Sequence, residues 1–323
     1  MMKYANLIFV SLFSLFSTVS SAQAYPERAI RFIVPFNPGG GQDILIRHVT
    51  PKVGDILGQQ IVVENRPGAA GTLGALAVAN AKPDGYTIGL GSSSTHAANV
   101  SQIAGLSYDP VTDFEPVALL AEFISPLVVT ASLPVNSVEE LIQLLKAHPG
   151  KYNYASAGQG SPTRFKAILF NQIAGVDTIE IPYSGSAPAL VDLVAGRVAL
   201  MFDGIAATAP LVKAKKLKIL AISAPQRLPE YPDVPTLDES GVKGINANAW
   251  AAVFAPAGTP QPIVEKLNAA FNQAINDPAI RTKLTELGYQ PYGNAAPPAL
   301  RAFVTSEISE WARLSKLAGI AAK

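Results

Sequence analysis

The stretch AIRFIVPFNPGGGQDILIRHVTPKVGDIL, residues 29–57, decides the fold class. Residues 29–35 form an apolar run of strand length that ends at Pro35. Residues 36–41 are a glycine loop, Phe36-Asn37-Pro38-Gly39-Gly40-Gly41. From Asp43 to Leu57, Ile44, Leu45, Val49, Val53, Ile56 and Leu57 recur at the spacing of one buried helix face. Strand, loop and helix in that order are the repeating unit of a parallel sheet covered on both sides. The glycines let the backbone approach a ligand with its N–H groups turned inward, and the helix behind adds the positive end of its dipole. Such a loop suits an anionic group or serves simply as a tight strand–helix turn. No Lys-Ser/Thr pair follows, so it is not a Walker A loop, and the spacing is not G-x-G-x-x-G.

The unit repeats outward from there. Residues 61–64 read as a strand, 73–80 as a helix of small residues, and 86–90 as a strand entering Ser92-Ser93-Ser94-Thr95. Residues 117–121 and 127–130 are strands with no helix between them, which breaks the alternation and marks a crossing to a second lobe. That lobe opens with a capping box at 137–140. A strand at 152–155 then enters a second polar glycine loop, 156–162, containing Ser156, Gln159, Gly160 and Ser161. A helix over 165–173 and a strand over 178–181 follow. Ser186 is predicted to cap a helix over 188–195, and strands cover 198–202 and 217–222. After Pro225 the chain returns: a strand at 250–255, helix starts at Thr259-Pro260 and Asp277-Pro278, and a last amphipathic helix from Leu300 to Leu317. The expected organisation is α/β, with residues 25–121 and 226–323 in one lobe, 122–225 in the other, and a ligand cleft between them.

Composition narrows the function. Lys and Arg number 25 against 24 Asp and Glu, without the basic cluster that nucleic acid requires. No cysteine is present, which excludes disulfides, thiolate catalysis and Cys-type metal sites. Residues 1–24 read as a cleavable signal peptide. Lys3 precedes an apolar run over 7–16, and Ala22-Gln23-Ala24 places small residues before a cut ahead of Tyr25. Removing them takes away one positive charge and leaves an exported, neutral chain.

Candidate site residues cluster in the loops. The second glycine loop repeats the logic of the first, so the pair can hold the oxygens of one carboxylate or of two. Asp43 either sits in the first helical turn for its charge alone or pins the loop by accepting backbone N–H bonds. Asp203, at a strand end, meets a ligand amine or hydroxyl or caps the next helix. Arg164 is either solvated or a second anion partner. His96 is the histidine placed nearest the predicted cleft, where a capping or surface role is favoured. No serine has a G-x-S-x-G setting, and the dispersed acidic residues make no metal site.

Several segments together resemble the solute-binding receptors of tripartite tricarboxylate transporters, the Bug receptors. They are Tyr25-Pro26, VPFNPGGGQD at 34–43 with Arg47, VENRPGAAG at 63–71 and KPDGY at 82–86. YASAGQGSP at 154–162 and IPYSGSAPAL at 181–190, running on to Phe202-Asp203, complete the match. The resemblance implies a type II periplasmic-binding-protein fold that closes on a small organic carboxylate without cofactor or metal. It implies a monomer handing its ligand to two integral membrane subunits, or in some relatives to a sensing partner. The implied contacts are Phe36, Asn37, Gly39, Gly40, Gly41 and Asp43 in the first loop, with Ser92, Ser94 and Thr95 beside it. From the other lobe come Ser156, Gln159, Gly160, Ser161, Arg164 and Asp203. Relatives often carry His where Arg164 stands and Glu where Ile168 stands; Arg164 would add a fixed charge suited to a dicarboxylate. The alternatives are an exported α/β hydrolase using His96 with Ser92 or Ser94, and a receptor for phosphate, sulfate or a metal complex. A cytoplasmic regulator is disfavoured because no DNA-binding segment is present.

Overall fold

A computed structural model describes residues 25–158, 161–224, 226–245 and 248–320. The signal-peptide reading of 1–24, and Gln159 and Gly160 of the second loop, lie outside the described residues.

The chain begins β1 (Ile30–Val34), α1 (Gly41–Leu57), β2 (Ile61–Asn65), α2 (Thr72–Ala79), β3 (Thr87–Ser92), α3 (Asn99–Gln102) and β4 (Phe114–Phe123). It continues β5 (Ser125–Thr130), α4 (Val138–Ala147), β6 (Asn153–Ser156), α5 (Pro162–Ala174), β7 (Ile179–Pro182), α6 (Ser186–Val194), β8 (Leu200–Phe202), α7 (Ile205–Lys213) and β9 (Leu217–Ser223). Last come β10 (Ala249–Pro256), α8 (Gln261–Asn276), α9 (Pro278–Glu286), β11 (Tyr289–Pro291) and α10 (Pro297–Leu317).

Two sheets result, ordered β11-β4-β10-β3-β1-β2 and β7-β6-β8-β5-β9. They share a plan. In the first, β1 pairs in parallel with β2 and β3, and antiparallel β10 follows. In the second, β6 pairs in parallel with β7 and β8, and antiparallel β5 follows. β1 therefore corresponds to β6, and β3 to β8. The chain passes between sheets at Ile124, between β4 and β5, and again between β9 and β10. Ile30, Phe32, Leu45, Val49 and Val53 are fully buried, so the apolar spacing of the opening segment is the face packed on the first sheet.

Some local expectations shift. α1 begins at Gly41, before Asp43. Thr259 donates to the Pro256 carbonyl (2.7 Å) instead of capping, and α8 starts one residue after Pro260. Ser186 is the first residue of α6, which starts two residues earlier than predicted; its hydroxyl turns to Asp203, and N-cap Gly185 brings no side-chain cap. Asp277 does cap α9, accepting from the Ala279 and Ile280 amides. α7 and β11 were not anticipated. β11 is too short to show alternation, and Pro210 within α7 masks its helical pattern.

Candidate ligand-binding site

The loop after β1 is held from behind. Gly39 has φ +77°, a left-handed conformation natural to glycine, and its N–H donates to Asp43 Oδ2 (2.9 Å). Arg47 Nε donates to both Asp43 oxygens (3.0 Å each), and its Nη2 donates to Asn65 Oδ1 (2.8 Å). Asn65 Nδ2 donates in turn to Asp43 Oδ1 (2.9 Å) and the Phe36 carbonyl (3.0 Å). Burial alone would raise the Asp43 pKa; the hydrogen bonds from Arg47, Gly39 and Asn65 outweigh it and hold the carboxyl below its usual value. Asp43 is 2% exposed, so of its two readings the geometry is that of a pin inside the loop. In front, Asn37, Gly39, Gly40 and Gly41 are exposed, and N-cap Gly40 provides no side-chain cap to α1. A helix N-terminus without a side-chain cap favours an anion at its first-turn amides.

Gly71 locks the neighbouring wall. A Cβ there would lie 2.7 Å from Thr95 Cγ2 and 3.4 Å from the Phe36 ring, so the turn, Phe36 and the serine loop are in close register. Ser92 and Thr95 bond each other: the Ser92 amide donates to Thr95 Oγ1 (3.0 Å), and the Thr95 amide to Ser92 Oγ (3.3 Å). Both are fully buried, while Ser94 is half-buried. Ser93 Oγ is buried without a hydrogen-bond partner.

His96 does not sit at the surface. It is 1% exposed, its ring stacks on Phe254 at 4.0 Å, and Nδ1 lies 2.9 Å from Thr95 Oγ1. Burial lowers its pKa to about 3, so it is neutral at physiological pH. A histidine enclosed by Phe114, Phe254 and Tyr108 is a core residue, not a general base.

The second loop closes on itself. Ser161 caps α5 by accepting from the Arg164 amide (3.3 Å) and donates to the Gly158 carbonyl (2.7 Å). Thr163 Oγ1 accepts from the Ala157 amide (3.0 Å), and Ser156 Oγ from the Gly158 amide (3.2 Å). Arg164 Nε donates to both Glu180 oxygens (2.8 and 3.0 Å), and Ser156 Oγ donates to the same carboxylate (2.8 Å). The fixed charge expected beside the ligand is thus offset by Glu180. Deeper in, Asp203 Oδ1 accepts from Ser186 Oγ and the Gly204 amide (2.8 Å each). Asp203 is 5% exposed, and burial raises its pKa to about 6.

A family model for the tripartite tricarboxylate transporter family receptor matches residues 45–320. The chain belongs to this receptor family. BugT of Bordetella pertussis is 36% identical over 313 residues, spanning 97% of this chain and 95% of its own. Among solved structures, MatC from Rhodopseudomonas palustris with bound malate is 40% identical, with a TM-score of 0.80 over 90% of this chain and 99% of that one. R. palustris Rpa4515 with adipate is 36% identical, with a TM-score of 0.84 over 93% and 100%. The receptor therefore has the periplasmic-binding-protein fold, and its family binds and delivers solutes without catalysing a reaction. Among the described residues, no group of three or more His, Asp or Glu could hold a metal ion, and no helix could cross a membrane.

In this receptor, the described candidates fall on the carboxyl ends of β1, β3, β6 and β8. Asn65, Gly71 and Glu180 were not singled out from sequence as site residues. VENRPGAAG contains the first two, and its asparagine and glycines were the available signal. Glu180 carried none, since its role depends on β7 lying beside β6.

Proposed function

We propose that this receptor captures a small organic acid in the periplasm by closing the lobe of the first sheet against the lobe of the second. It acts as a monomer after cleavage between Ala24 and Tyr25, and hands its ligand to the two integral membrane subunits of a tripartite transporter. The observation that carries the reading is the N-terminus of α1: exposed glycine backbone, no side-chain cap, and a carboxylate–guanidinium–amide pin behind it. A loop held from behind keeps its N–H donors organised before ligand arrives, which lowers the ordering cost of binding. Phe36, Asn37, Gly39, Gly40 and Gly41 provide the first carboxylate contacts. Ser94, Ser156, Ser161 and Asp203 line the remainder, with Ser92 and Thr95 shaping the wall. Asp43 and Arg164 position the loops. Dicarboxylates are the first candidates, because neighbours of the same fold hold malate and adipate.

The test is a thermal-shift screen on mature, refolded, ligand-free protein against mono-, di- and tricarboxylates, phosphate and sulfate. A ligand that binds only the native state stabilises by about 2.7 kcal/mol at a hundredfold excess over its dissociation constant. A shift with one class of carboxylate is expected. A shift with phosphate or sulfate alone would replace the carboxylate reading with an inorganic oxyanion receptor.

A further inference from the structure

β3 and β8 occupy equivalent places in the two sheets, each being the third of the parallel strands. At the carboxyl end of each, a buried polar atom has no hydrogen-bond partner: Ser93 Oγ after β3, where His96 Nε2 within its ring cluster is also unpaired, and Asp203 Oδ2 after β8. The other oxygen of Asp203 has two donors, so Oδ2 alone is unsatisfied. An unpaired buried carboxylate oxygen is costly, and buried polar groups in native folds are nearly always satisfied. A serine hydroxyl can donate or accept, whereas an ionised carboxylate oxygen can only accept. The unmet need at Asp203 is therefore for a donor.

We propose that Asp203 Oδ2 selects acids that carry a hydroxyl or ammonium group beside the carboxylate, accepting a hydrogen bond from it when the lobes close. This deepens the carboxylate reading above and rests on it. The glycine loop after β1 takes the carboxylate, and the ends of β3 and β8 read the substituent. Burial already raises the Asp203 pKa, the mark of a carboxyl without its full complement of donors. A bound ammonium or hydroxyl supplies the missing one. A site that satisfies its buried acceptor through the ligand rejects an analogue lacking the donor, because binding that analogue leaves the acceptor unpaired.

The test is isothermal titration of the mature, refolded protein with pairs differing only in the donor: malate against succinate, aspartate against succinate, and lactate against propionate. In each pair that binds, the donor-bearing acid is expected to bind about tenfold tighter or more. Asp203→Ala is expected to bring the ratio close to one. Asp203→Asn must keep its amide oxygen on the Gly204 N–H and so turns its NH2 toward the ligand; a hydroxyl can still bond there by accepting, whereas the ammonium preference should be lost. Equal affinity for malate, aspartate and succinate in the wild-type protein overturns the inference, whatever the variants do, and leaves the carboxylate reading intact. A preference that persists unchanged in Asp203→Ala also overturns it. Absence of binding by every acid overturns both readings.

Discussion

The two glycine loops look alike in sequence and are built differently. The first, after β1, contains no side chain that caps its helix; its order comes from behind, through Asp43, Arg47 and Asn65. The second, after β6, spends Ser156, Ser161 and Thr163 on its own backbone and has Glu180 hold Arg164. One loop leaves its helix N-terminus free for a ligand. The other satisfies that terminus internally. Under the proposed function, two loops of one pattern thus serve unequal roles, the first as the main anion contact and the second as a preformed lip.

Substitutions test that division, and the largest effect is expected at Asp43. Asp43→Ala leaves the Gly39 amide, Asn65 and Arg47 without their shared acceptor. Thermal unfolding should show a loss of about 2–3 kcal/mol, with carboxylate affinity falling tenfold or more. The same residue sets an acid limit. Because its folded-state pKa lies below the usual 3.8, its stabilisation is present above that pH and disappears as pH falls through the depressed value. Asp43→Asn should flatten that limb of the stability profile.

Lys166, behind the second loop on α5, tests the lip from its buried side. It is fully buried, and its Nζ donates to Asn248 Oδ1 (2.9 Å). Burial lowers its pKa to about 7 from 10.5, against the opposing pull of Glu122. Between those values the unfolded chain binds more protons, so this group makes stability rise with pH. The slope is at most about 1.4 kcal/mol per pH unit. Denaturant melts from pH 7 to 10 should show the slope in wild type and lose it in Lys166→Met.

Ser161→Ala should cost about 1 kcal/mol through the lost cap of α5. Affinity should fall less than in Asp43→Ala, since the second loop's hydroxyls serve its own backbone. The smallest effect is expected at Arg164. With its ion pair to Glu180 three-quarters shielded on both sides, Arg164→Ala should cost about 1 kcal/mol or less and change affinity for dicarboxylates less than about threefold, because Glu180 already engages the guanidinium. A larger loss, measured by titration calorimetry, would put the guanidinium on the ligand and make the loops more equal than their hydrogen bonds suggest.

Much of this arrangement was legible in the residue order. Strand, glycine loop and helix in sequence imposed parallel pairing of β1 and β3, and the missing helix between β4 and β5 marked the passage between sheets. Residue type also limited the choices for Asp43, a helical-turn carboxylate or a loop pin. Spacing could not say which, because Asn65, the third member of the pin, is supplied by a neighbouring strand. For the same reason the sequence left Arg164 either solvated or an anion partner, and could not show the Glu180 that β7 places beside it. His96 read as a surface or capping residue because its local neighbours are polar, while Phe114 and Phe254 reach it from distant strands.

By itself, then, the sequence determined what is local and periodic: the strands and helices, the two glycine turns, and a family resemblance covering nearly the whole chain past residue 24. Backbone conformation and apolar spacing depend on near neighbours, and those are written in order along the chain. The tertiary structure decided which polar groups are already satisfied. A hydrogen bond or ion pair can join residues far apart in sequence, so only the folded arrangement could show Asp43 and Arg164 engaged within the protein while Ser93 and Asp203 each keep one buried atom unpaired.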